Sequence, residues 1–196
     1  PDNLARFSFF CRGVLRLLEN SSWTPDIVHC NDWQTALIPL LIKTEFNQHP
    51  KLGNLKTLFT IHNLAYQGLF PAEQIAIAGI GWDQFHIDGV EFWGQISLLK
   101  GALVHADYLS TVSQAYSEEI QTEEFGCGLN GILRKRASRL CGIVNGVDYS
   151  KWNPESDTFI ERNYSAETVS QGKAVNKKEL IRQFGLNPEC LSKPLI

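Results

Sequence analysis

An imidazole and an amide, His62 and Asn63, directly follow the apolar run TLFTI at 57–61, and the loop after them carries Tyr66, Gln67 and Gly68. A neutral imidazole can donate or accept a hydrogen bond, an amide does both, and a phenol adds a flat apolar face with a polar tip. Such a set suits a hydroxyl-rich ligand. It is also a set that can finish a buried strand, with His62 satisfied by its neighbours and nothing more. A carboxylate holds a similar position: Asp32 follows the run DIVHC at 26–30 and precedes Trp33. It reads either as the N-cap of a following helix or as an acceptor facing a ligand. Trp33 reads first as core. A further polar end is Asn145, in the turn-forming pair Asn145–Gly146 that closes GIVNG at 142–146.

The segment GCGLNG at 126–131 has the spacing G-x-G-x-x-G. A dinucleotide fingerprint must follow a strand and open a helix, whereas the segment before this one, SEEIQTEEF, is acidic and helical in pattern. The nicotinamide reading is therefore rejected. Two readings stay open for the loop around Gly128: backbone N–H groups turned toward a substrate hydroxyl or anion, or a plain turn between helices. His29, His49, His86 and His105 lack metal-ligand spacing, and His29, inside a strand, reads as packing. Ser113 has no G-x-S-x-G context, so nothing points to a hydrolase nucleophile. No metal and no cofactor are expected.

These residues need a scaffold that brings strand ends together. Helical spacing of Phe7, Phe10, Val14, Leu17 and Leu18 predicts a helix over 5–20, and strands are expected at 26–30, 57–61, 108–112 and 142–146. Helices are expected over 33–46, where Pro39 marks a kink or a start, over 90–106, over 114–120 with Ser113 as N-cap, and over 129–140. Strands separated by helices imply βαβ units and a doubly wound parallel sheet, with strands apolar on both faces. Ligands of such sheets bind beyond the carboxyl ends of the strands, which is where His62, Asp32, Ser113 and Asn145 fall. After 148 the chain turns polar and reads as a linker over 149–175; a helix over 176–188, stopped by Gly185 and Pro188, and the start of a strand at KPLI would open a second domain at 176–196.

Composition narrows the function classes. The chain has 196 residues, 43% hydrophobic and 20% charged, enough for one core and the edge of a second. A net charge of −3, with Arg134, Lys135, Arg136 and Arg139 as the densest basic cluster, gives nucleic acid little support. Five scattered cysteines without a C-x-x-C pair suggest neither a disulfide framework nor a zinc site, and point to a reducing compartment. No apolar run approaches the ~20 residues of a membrane helix. With Pro1 first and no Met, the chain reads as a piece of something longer.

Five blocks in order, HCNDWQTALIPLLIK, FTIHNLAYQGLFP, FHIDGVEFWGQISLLKGALVHADYLSTVS, EIQTEEFGCGLNGILRKR and GIVNGVDYSKWNPESD, resemble the glycogen and starch synthases over roughly 1–188. The resemblance implies half of a two-domain GT-B glycosyltransferase with a Rossmann-like, doubly wound parallel sheet. It implies a retaining enzyme that moves glucose from ADP-glucose to the non-reducing end of an α-1,4-glucan, in a bacterial cytoplasm or a plastid stroma. By matched motif His62 corresponds to the family's active-site histidine, Asp32 to the Asp of its DW block and Asn145 to the Asn of its NGVD block. Asn63, Tyr66, Gln67 and Gly128 would bind substrate. Many bacterial members have His where this chain has Gln34, which removes any acid or base role there. The family's groups that hold the diphosphate are not in these residues, so the piece alone is expected to be inactive. A non-catalytic glucan-binding module of the same fold is the alternative.

Overall fold

The first helix forms because leucines, a serine and a cysteine recur on one stripe of the helical repeat. In the computed structural model, which describes residues 2–195, this helix, α1, spans Asn3–Asn20 and buries Leu4, Ser8, Cys11, Leu15 and Leu18. The stripe is rotated from the expected one: Phe10 and Leu17 are exposed. Then come β1 (Ile27–Asn31), α2 (Leu37–Lys43), β2 (Lys56–Ile61), β3 (Leu69–Pro71), α3 (Ile75–Ala78), β4 (Glu91–Phe92) and β5 (Gln95–Ser97). The chain continues through α4 (Leu98–His105), β6 (Tyr108–Thr111), α5 (Gln114–Glu119), α6 (Asn130–Lys135), β7 (Leu140–Gly142) and α7 (Val169–Gln183). Pro39 sits in the first turn of α2, where its missing N–H has no intrahelical partner to lose.

Strands β1, β2, β6 and β7 pair in that order and all run parallel. The fold is therefore the α/β, Rossmann-like layer that the alternation of strands and helices implied. Inner strands β2 and β6 bury Phe59, Ile61 and Leu109 in one core with Leu15, Leu40, Leu41 and Leu99. The edge strands differ from the expectation of two apolar faces: Ile27, His29, Asn31 and Cys141 are exposed. His29 is not packed in the core. Its ring Nε2 pairs with Thr60 Oγ1 at 2.7 Å, and Thr60 Oγ1 pairs with Ser110 Oγ at 2.6 Å, a polar row across three strands.

Asp107, just before β6, locks the register at the amino ends of the strands. Its carboxylate accepts from Lys43 Nζ (3.0 Å), Thr57 N (2.9 Å) and Thr57 Oγ1 (3.1 Å), while its own N–H donates back to Thr57 Oγ1 (2.9 Å). Helix α4 starts on Ser97, whose hydroxyl accepts from Lys100 N, and its last carbonyls are gathered by Arg136, which donates to Val104 O at 2.8 Å and to Ala106 O. Gly101 lets α4 lie close to its neighbours, since a Cβ there would sit 2.9 Å from Leu40 Cδ1 and 3.0 Å from Val90 Cγ1.

The expected helix over 90–106 begins only at Leu98. The segment before it is a hairpin, β4–β5, that pairs with β3 in a small antiparallel sheet. Trp93 (φ 52°) and Gly94 (φ 78°) make its two-residue turn, and positive φ at both central positions is the type I′ geometry that matches strand twist. The expected strand at 142–146 ends at Gly142, although Ile143 N still donates to Thr111 O at 2.8 Å. The helix expected over 129–140 is shorter, Asn130–Lys135, followed by a 3₁₀ turn at Ala137–Arg139.

The chain divides into two compact units, Pro1–Asn145 and Gly146–Ile196. In the second, α7 starts at Val169, well before the expected position 176, and Gly185 (φ 61°) ends it with Leu186 N donating to Ile181 O at 3.0 Å. Lys193–Leu195 form no strand, and Ile196 lies outside the described residues. Among the described residues no helix is long and apolar enough to cross a membrane.

Candidate functional site

Because β1, β2, β6 and β7 are parallel, their carboxyl ends share one edge of the sheet. The register pairs Asn31 with Thr60 and Ile61 with Thr111, so the residues after β1, β2 and β6 come out side by side. Ladder bonding runs one residue past β1, with Asp32 N donating to Thr60 O at 3.0 Å.

There Asn31, Asp32 and His62 join in one hydrogen-bonded cluster. The backbone N–H of His62 donates to Asp32 Oδ1 at 2.8 Å, and the ring Nε2 donates to Asn31 Oδ1 at 3.1 Å. With Nε2 carrying the proton in that bond, the neutral ring's acceptor is Nδ1. Asp32 begins the 3₁₀ turn Trp33–Thr35, but its side chain makes no capping bond. The N-cap reading therefore gives way: the carboxylate holds the second strand end. Thr35 does the local work, accepting from Asn31 N (2.7 Å) and donating to Asn31 O (2.8 Å). Asp32 adopts φ 57°, ψ 178°, a backbone region that costs any residue with a Cβ about 1–3 kcal/mol. The strain sits at the residue that ties the two strand ends together.

The loop 62–68 is anchored from below. Asn63 Oδ1 accepts from Ala65 N (3.0 Å), which closes an Asx turn, and buried Leu64 donates its N–H to Tyr116 Oη (3.0 Å). Gly68 (φ 62°) lies on the Trp33 ring, with a Cβ position only 2.7 Å from Trp33 Cε3. Trp33 packs edge-on against Phe7 at 5.0 Å and tilted against Phe70 at 5.8 Å, so it is the floor under the loop. Tyr66 stands out of this frame, 67% exposed.

Gln67 differs from its neighbours. It is 6% exposed, its Nε2 donates to Cys127 O at 2.9 Å, and its Oε1 lies 3.4 Å from the Ser97 hydroxyl. The amide is spent inside the protein and tethers the loop to the glycine-rich segment. Gly128, exposed and at φ 78°, belongs to that segment and lies beside Phe92 and Trp93. Asn145 is exposed three positions after the end of β7. The structure thus brings Asp32, His62 and Asn63 to one edge with Asn31, a residue that sequence reasoning passed over. Its signal was its place as the last residue of a strand whose partner is followed directly by histidine.

Burial pushes the Cys11 and Cys30 thiols up to about 12, which leaves them protonated and inert. No group of three or more His, Cys, Asp and Glu side chains that could hold a metal ion occurs among the described residues.

A family model described as the starch synthase catalytic domain matches residues 1–135. A glycogen synthase 2 of Geobacter sulfurreducens is 50% identical over 196 residues, 100% of this chain and 40% of that protein. A glycogen synthase of Thermodesulfovibrio yellowstonii is 46% identical over 195 residues, 100% of this chain and 39% of that protein. Among solved structures, the catalytic domain of Starch Synthase IV from Arabidopsis thaliana bound to ADP and acarbose is similar with a TM-score of 0.76 and 35% identity, over 96% of this chain and 38% of that one. The chain spans about 40% of the length of the curated relatives it matches.

Proposed function

The chain belongs to the starch synthase catalytic domain family, and on that premise we propose that it forms the acceptor-side wall of a retaining glucosyltransferase. The reaction moves a glucosyl unit from ADP-glucose to the non-reducing end of an α-1,4-glucan. One observation carries the reading: Asn31, Asp32 and His62 form a single hydrogen-bonded cluster at the carboxyl edge of a parallel sheet, where α/β folds bind ligands.

Retention through an oxocarbenium-like state separates charge between the sugar ring and a departing diphosphate. Dipoles already fixed in place stabilise that separation without reorganising. His62, oriented by Asn31, offers an oriented imidazole to a sugar hydroxyl. Asp32 spends one oxygen on the His62 N–H and keeps the other for positive charge or a hydroxyl. Asn145 and Tyr66, both exposed, are the further contacts to sugar, while Asn63 and Gln67 shape the loop. Donor and acceptor are supported by the solved relative's ligands, ADP and the oligosaccharide analogue acarbose. The donor nucleotide is assigned to residues outside this span, so the 196 residues by themselves would not turn over, and the whole protein would work in a bacterial cytoplasm or a plastid stroma.

The test is glucosyl transfer from ADP-glucose to glycogen by the full-length protein and its His62→Ala variant. We expect transfer by the first and a loss of at least a hundredfold in kcat in the second, with thermal stability nearly unchanged. Glucan binding without transfer by the full-length protein would make it a binding module instead.

A further inference from the structure

Gly128, expected to meet substrate, lines a cavity whose walls do not include His62. This cavity, of 480 Å³, is lined by the β4–β5 hairpin, Lys100 and the glycine-rich segment. Its size falls in the range of small-ligand sites, roughly 300–1,000 Å³.

Trp93 stands at the tip of the hairpin and is 82% exposed. A large aromatic side chain in water, on a backbone at φ 52°, contributes little to folding and is mildly strained. The turn that carries the ring is fixed. Gly94 N donates to Glu91 Oε1 at 2.9 Å to close the turn, and the indole meets Phe92 edge-on at 6.3 Å. Ile87 and Ile132 add apolar wall. Lys100 belongs to the same lining and is only 4% exposed, which is rare for an ammonium. It donates to Glu91 O, and among the described residues Nζ, which has three donors, makes no second hydrogen bond. Gly128 brings backbone close: a Cβ there would be 2.9 Å from Phe92 Cζ and 3.6 Å from Trp93 Nε1, so any side chain would fill the gap between loop and hairpin.

A flat aromatic face beside a buried ammonium and apolar walls matches a pyranose, which presents a C–H face and a rim of hydroxyls. We propose that this cavity is a second α-glucan subsite, with Trp93 as the stacking platform and Lys100 as the hydroxyl donor. It would hold sugar units of a chain whose end lies at the His62 edge. The Gln67–Cys127 bond joins the two places, since it ties the His62 loop to the segment that carries Gly128. The identity of the sugar rests on the glucosyltransferase reading; the position of the site does not.

The experiment titrates maltoheptaose into the full-length protein by calorimetry, in wild type and in three variants. Trp93→Ala removes the platform. Trp93→Tyr keeps an aromatic face. Gly131→Leu fills the cavity from α6, where an added Cβ meets nothing within 4 Å, so the fold tolerates it. Trp93→Ala and Gly131→Leu should each weaken binding about tenfold, the size of one aromatic contact, and Trp93→Tyr should restore most of it. Equal affinity in wild type, Trp93→Ala and Gly131→Leu overturns the proposal, as does a wild type that binds no maltoheptaose. Loss of glucosyl transfer in the wild-type assay would instead overturn the transferase reading, and the titration would still decide the subsite.

Discussion

Replacing Asp32 separates two effects that the residue combines. Its carboxylate accepts the His62 N–H at 2.8 Å, a bond to a charged group worth about 1.5–3 kcal/mol. Its backbone, at φ 57° and ψ 178°, costs about 1–3 kcal/mol because of the Cβ. Asp32→Ala loses the bond and keeps the strain, so it should destabilise by about 1.5–3 kcal/mol. Asp32→Gly loses the same bond but relieves the strain, against about 0.5–1 kcal/mol of extra chain entropy in the unfolded state. The glycine variant should therefore be the more stable of the two by about 1 kcal/mol. For a unit the size of Pro1–Asn145 that is a difference in Tm of about 2–4 °C, measurable by calorimetry on the full-length protein. Glucosyl transfer should fall alike in both, because neither has a carboxylate. An alanine variant as stable as the glycine variant, or more so, would refute the claim that this backbone is strained for the sake of the site.

Asn31→Ala should lower kcat about tenfold, the equivalent of one lost orienting bond to His62, with less than about 0.5 kcal/mol of stability because the pair is exposed. A fall in Tm without a fall in kcat would make Asn31 structural. Asp107 makes a pH-dependent contribution: burial raises its carboxyl, yet Lys43 and Thr57 together hold it below the ordinary carboxylate value. A depressed value in the fold means stability that is complete above the unfolded value of about 3.9 and is lost as pH falls through the folded value. Asp107→Asn should thus cost about 1–3 kcal/mol at neutral pH, and the gap to wild type should close as the pH drops below about 4. Denaturant unfolding at several pH values reads it directly, and a gap independent of pH would count against the carboxylate.

Much of the scaffold was legible because its signals are local. An apolar run such as TLFTI, bounded by Lys56 and His62, carries its own strand character, and Ser113 caps α5 as expected, accepting from Tyr116 N at 2.9 Å. Alternation of strands and helices then placed the strand ends on one edge, since parallel pairing leaves few other arrangements. The position of Asp32 and His62 followed from that alone, and the five motif blocks carried the family.

What only the tertiary structure decided depends on contacts between distant residues. The hairpin at Glu91–Ser97 reads as helix in its apolar content, and only the positive φ of Trp93 and Gly94 turns it into strands. Gln67 looks like any polar loop residue until Cys127 O and Ser97 enclose its amide. Asp32 resembles a helix cap until the β1–β2 register brings the His62 N–H within 2.8 Å of its carboxylate. Composition and periodicity settle which residues stand at the strand ends. Register settles which of them touch, because a shift of one residue along β2 would turn His62 to the other face of the sheet.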